Sequence, residues 1–156
     1  MAIGEVVAGQ FARAWETLVE AIHQFPAEQW RTGETETLIP ARLAYHLIEA
    51  AEFYSGTTSE GFAWGRRFGA DWEGAEPDQL PTQEQVLIYL EETQTRVDAW
   101  LRGMADADLL AADSSFLWTG STTLDRALYL LRHNQHHVGE LNAELRRRRL
   151  PRAEWR

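Results

Sequence analysis

The sequence contains no cysteine, so disulfides and thiolate ligands are excluded, and any thiol used in chemistry must come from outside the protein. It contains no lysine either. All 15 basic residues are arginine, which removes Schiff-base and lysine-nucleophile chemistry. No apolar run approaches the roughly 18 residues that a membrane span requires. The opening "MAIGEVVAGQF" lacks a basic leader and meets Glu5 at once, so a cytoplasmic protein without membrane attachment is expected. Positive charge is also scarce: the net charge of −9 argues against a broad nucleic-acid surface. The one basic run, Arg146 to Arg149, lacks interleaved aromatics and is read as a complement to the negative end of a helix dipole. Glycine-rich phosphate loops, dinucleotide fingerprints and Gly-x-Ser-x-Gly elbows are missing.

The composition that remains, 44% hydrophobic and 25% charged over 156 residues, suits one domain spanning 1–156. Apolar residues recur at helical spacing in four places, and strand-like alternation is scarce. The first helix is expected from about Gly4 to Gln24, with Val7, Phe11, Trp15, Leu18, Ile22 and Phe25 inward and Pro26 as its stop. The second begins near Pro40 and carries Leu43, Leu47, Ala50 and Tyr54, with Gly56 just past its end. A capping box of Thr82 with Gln85 opens the third, which buries Val86, Leu90, Val97, Trp100 and Leu101. Thr122 with Asp125 opens the fourth, which runs to about Arg149. Four such helices imply an all-α four-helix bundle, with the longest connection, 57–81, between helices two and three.

The chemistry concentrates in "HNQHHVGE", where three of the five histidines fall within five positions. Residues i and i+4 share a helix face, so His133 and His137 point together with β-carbons about 6 Å apart. Two imidazoles so placed can share one metal ion. His136 is turned about 100° from His137 and stands outside that pair. His46, at the edge of the second helix's apolar stripe, is the candidate third ligand. His23 has no histidine one turn away and reads as a C-terminal helix residue. Other metal motifs fail: Asn134 occupies the place of the zincin glutamate. Only Glu20 with His23 forms a Glu-x-x-His pair, where a di-iron bundle needs two. Zinc and nickel both suit imidazole. Glu140 shares the face of His133 and His137 and has no arginine one turn away, so it and His136 are the candidate catalytic groups. Gly139 costs helix stability, and close approach of a helix or ligand is the expected reason.

These residues resemble the DinB-like superfamily, also known as the YfiT-like metal-dependent hydrolases. The family signature reads approximately His-Asn-x-Tyr-His-x-Gly-Gln, and His133, Asn134, His137 and Gly139 match it. His136 stands where an aromatic is common and Glu140 where glutamine is common. His46, followed by Leu47 and by Glu49 or Glu52, matches the family's second-helix ligand, and "PAEQW" looks like its first connector. The resemblance implies a bundle holding a divalent ion through three histidines, commonly in a homodimer. Relatives of known activity use low-molecular-weight thiols such as bacillithiol or mycothiol.

The expected function is therefore metal-dependent chemistry on a small molecule, either thiol S-transfer to an electrophile or hydrolysis. The alternative is a non-catalytic metal- or ligand-binding stress-related protein. On the fourth helix, Leu124, Leu128, Leu131, Val138 and Leu145 read as one stripe, and "ALYLL" is apolar all round. A second subunit is expected to cover part of it. Trp64, Trp72 and Trp118 are expected in the core, or at the mouth of the site.

Overall fold

A computed structural model describes residues 1–156. The chain is all helical, with no β-strand and one isolated bridge between Ala112 and Thr122. The long helices are α1 (Ile3–Gln24), α3 (Pro40–Tyr54), α4 (Gln83–Arg102) and α6 (Thr123–Arg147). Two single turns, α2 (Ala27–Trp30) and α5 (Asp106–Leu109), lie in stretches that periodicity leaves as connectors, together with a 3-10 turn at Glu36–Leu38. Helix starts follow the local chemistry. Thr82 and Thr122 each accept the amide of the residue three positions on, and Gln85 and Asp125 reach back to the capping amides. Pro40 occupies the first turn of α3, where its missing N–H leaves no bond unmade.

α1 and α3 each pack against both α4 and α6. The start of α4 lies by the end of α1, where Gln83 donates to the carbonyls of Ile22 and Phe25. At the other end Gly4 abuts the Leu101 carbonyl so closely that any β-carbon would overlap it. These two helices are therefore antiparallel. α3 and α6 are antiparallel as well, since Arg126 near the start of α6 donates to the Gly56 carbonyl beyond the end of α3. α6 runs parallel to α1, with Arg148 over the Phe25 ring. It follows that α3 and α4 point the same way. The chain must then travel the full length of α3, about 22 Å for 15 residues, before α4 begins.

Residues 55–82 make that return trip along the outside of α3. Three side chains one or two turns apart on α3 fasten it. The Glu49 carboxylate accepts from the Gly65 amide at 2.7 Å, and the Tyr45 hydroxyl donates to the Ala70 carbonyl at 3.1 Å. Arg42 donates to the carbonyls of Trp72, Glu73 and Ala75. At Gly65, φ is +77° and a β-carbon would collide with the Ala70–Asp71 backbone, so only glycine fits this turn. The return strand explains why α3 is buried almost all round.

Three expectations need correction. The buried stripe of α6 runs through Ala127, Leu130, Asn134, Val138, Leu141 and Leu145, while Leu128 is exposed and Leu124 and Leu131 are only partly covered. Within the chain, the helix buried nearly all round is α3, whose outer face is covered by residues 55–82. Gly139 has nothing within 4 Å of a β-carbon built there, so no other helix of the chain approaches it closely. The arginine run does more than complement a dipole. Arg147 pairs with Glu144 and Glu34, and Arg148 bonds Glu144 and the carbonyls of Gln29 and Thr32, which ties the end of α6 to the α1–α3 connector.

Two stability outcomes follow, both read from urea unfolding midpoints. Gly139→Ala removes backbone freedom from the unfolded chain without a clash and should stabilise by about 0.5–1 kcal/mol. Arg42→Ala leaves strap carbonyls unpaired and should destabilise by about 2–4 kcal/mol, with faster proteolysis between 57 and 81.

Candidate metal centre

His46 comes from the middle of α3, and His133 and His137 from the middle of α6, where the antiparallel helices face each other. All three rings are partly buried. Their ε-nitrogens converge: His46 Nε2 lies 3.1 Å from His133 Nε2, which lies 3.2 Å from His137 Nε2. Three nitrogens each about 2.0–2.1 Å from one ion would sit roughly 3.0–3.4 Å apart, so the observed spacing fits a shared cation. Without one, three lone-pair positions crowd together, and hydrogen bonds among imidazoles fill them only in part.

The electrostatics point the same way. Burial and then the neighbouring His133 and His137 push the His46 pKa down to about 3. Burial followed by His137 brings His133 to about 4. Neutral imidazoles are the form that binds metal. On the far side of His137, Nδ1 lies 2.6 Å from Glu140 Oε2. The carboxylate accepts there, so Nδ1 carries the proton and Nε2 presents its lone pair to the cluster. Glu140 thus meets the site through His137. His46 Nδ1 and His133 Nδ1 are buried without a partner, so only one ring of the three is oriented by an acceptor.

His136 stands apart from the triad, exposed, with Nε2 at 3.6 Å from Glu140 Oε1. His136, His137 and Glu140 form a second close group that shares His137 with the first. His23 lies exposed in the last turn of α1. Of the three tryptophans in the connections, Trp72 sits against the site, its ring centroid 3.9 Å from that of His46. Trp64 and Trp118 are 40% and 55% exposed, so neither is a core residue; both flank Phe53, and Trp118 donates to the Tyr54 hydroxyl. A surface groove of about 960 Å³ runs between α1 and α4 past Phe11 and Trp15, and no triad residue lines it. Sequence periodicity gives no warning of Glu49 and Arg42, polar residues buried on a helix whose outer face would ordinarily meet water.

The sequence model of the DinB superfamily matches residues 10–141, a span that includes all three histidines and Glu140. No curated protein and no solved structure matches the chain.

Two outcomes test this centre. Glu140→Gln should weaken divalent-ion binding about 10–100-fold, read by competition with a chromogenic chelator, because His137 loses its orienting acceptor. The second concerns pH in metal-free protein. His46 and His133 titrate near 6.5 when unfolded and near 3 and 4 when folded. Their contribution to stability is complete above about pH 6.5 and drains away as pH falls toward 4. Glu49, raised by burial to about 7, acts in the opposite sense, so the comparison is with His46→Phe. The variant's urea midpoint should fall less than the parent's between pH 7 and pH 5.

Proposed function

The chain belongs to the DinB superfamily, and on that premise we propose a metal-dependent enzyme acting on a small molecule, built on a single four-helix-bundle domain. The observation that supports this most directly is the convergence of the three ε-nitrogens of His46, His133 and His137. These are the residues that would hold a divalent ion, and zinc or nickel suits three neutral imidazoles. When bound, the ion supplies Lewis acidity, favouring the deprotonated form of a small thiol or of water. With no cysteine in the chain, a thiol nucleophile has to enter as a substrate, such as a low-molecular-weight thiol. S-transfer to an electrophile and hydrolysis are the two reactions that this arrangement serves.

The chain's own residues then have distinct tasks. Glu140 fixes the tautomer of His137 and holds the proton at Nδ1. Trp72 covers one side of His46 and limits water there. His136, exposed and beside Glu140, is placed to meet solvent or a substrate group, not the shared ion. A homodimer fits the apolar residues left uncovered on α6, with Leu128 42% exposed between the partly buried Leu124 and Leu131. Light scattering at twice the chain mass supports that assembly, and a monomeric mass removes it.

The decisive assay uses protein purified without a histidine tag. About one divalent ion per chain is expected, and His133→Ala should lose it. A panel of small thiols with model electrophiles, and of activated esters and amides, should then show turnover that His133→Ala reduces at least 100-fold. Equal turnover by parent and variant contradicts the catalytic reading. Stoichiometric metal without turnover on either panel favours a non-catalytic metal-binding protein.

A further inference from the structure

Glu140 offers only one of its two oxygens to the triad. Oε2 takes the proton of His137 Nδ1 at 2.6 Å, while Oε1 accepts no hydrogen bond and lies 3.6 Å from His136 Nε2. That separation is too long for an N–H···O bond. Two ligands each about 2.1 Å from one tetrahedral ion stand roughly 3.4 Å apart, close to the spacing seen. His136 and Glu140 are one helical turn apart on α6, so the backbone keeps both on one face.

No arginine competes for this carboxylate. The groups within ion-pair distance of Glu140 are His136 and His137, whereas Arg147 and Arg148 pair with Glu144. Access also differs from that of the triad. The His136 side chain is 69% exposed, and that of Glu140 is partly exposed, so a hydrated cation reaches the pair without any movement of the helix. The ligand atoms of His136, His137 and Glu140 all lie within 4.8 Å of one another, close enough to share an ion. His137 is already committed, with Nδ1–H on Glu140 and Nε2 turned to the triad. Two protein ligands remain, and water completes the shell.

We propose that His136 Nε2 and Glu140 Oε1 form a second, outer site for a divalent transition-metal ion, filled only once the triad is saturated. One imidazole and one carboxylate suit zinc, nickel or copper better than magnesium or calcium, which take all-oxygen shells. The outer pair uses no residue of the triad, and only its consequence rests on the metal reading. An ion on Oε1 drains charge from the carboxylate that orients His137, and two cations beside one helical turn repel. Excess metal therefore loosens the inner ion.

Zinc titration of the untagged protein, followed by calorimetry, tests the site. One tight and one weaker equivalent are expected, the second weaker by about tenfold or more because two protein ligands replace three. His136→Ala, at an exposed position, should lose the weaker class and keep the tight one. His133→Ala should do the reverse, and His23→Ala, which removes the other exposed histidine, should keep both. In proton–nitrogen correlation spectra of the imidazoles, the second equivalent should shift His136 Nε2 and move the His137 Nδ1 proton upfield, and neither change should occur in His136→Ala. A single class in the parent, survival of the weaker class in His136→Ala, or its loss in His133→Ala or His23→Ala overturns the outer site. An unmoved His137 proton overturns the coupling. Absence of the tight class alone contradicts the triad and leaves the outer site standing.

Discussion

Two parallel neighbours, α3 and α4, impose the constraint on which most of the molecule depends. A chain that leaves α3 at one end and must start α4 at the other has to run back about 22 Å along the outside. That return strand buries the outer face of α3 and converts a helix with one core face into one covered nearly all round. It also brings Trp72 onto His46 and the Gly65 amide onto Glu49. The histidine cluster and the fastened outer face are thus two sides of the same covered helix. Arg42, with three strap carbonyls on one guanidinium, is the tightest of the fastenings. Its charge meets carbonyl dipoles and no carboxylate.

The seam between α3 and α6 gathers three imidazoles, two of which are held well below the ordinary protonation range. Burial keeps His46 and His133 well below the ordinary imidazole range, and each charge would repel the next. Three imidazole nitrogens converging on one point form a site that a cation would relieve. Glu140 adds a single negative charge one bond away through His137, enough to set a tautomer without filling a ligand position. The neighbouring Asn134 is fully buried in the core stripe of α6, and its amide has no partner within the protein.

Much of this was legible in the letters, and the reasons differ from element to element. The capping boxes at Thr82 and Thr122 are local chemistry, so the starts of α4 and α6 could be read directly. The His133–His137 pair needs only the helix repeat, while bringing in His46 needed the resemblance to a family or a second buried helix. The family assignment agrees with that resemblance. Val138 and Leu145 of the α6 stripe are buried, but its central position is Asn134, a polar residue, so apolar spacing alone points to Leu124, Leu128 and Leu131 beside it. The burial of Arg42 and Glu49 was invisible, since their partners are backbone groups more than 15 residues away that carry no side-chain signal. Gly139 shows the converse: a residue with an apparent reason in the sequence has none in the packing within the chain.

The central claim is that one cation joins His46, His133 and His137. Anomalous diffraction from crystals of the untagged protein, collected on both sides of the zinc and nickel absorption edges, tests it most directly. The account predicts one strong peak about 2.1 Å from each of the three Nε2 atoms. Three imidazoles hydrogen-bonded only to one another, or a peak bound elsewhere on the chain, would contradict it.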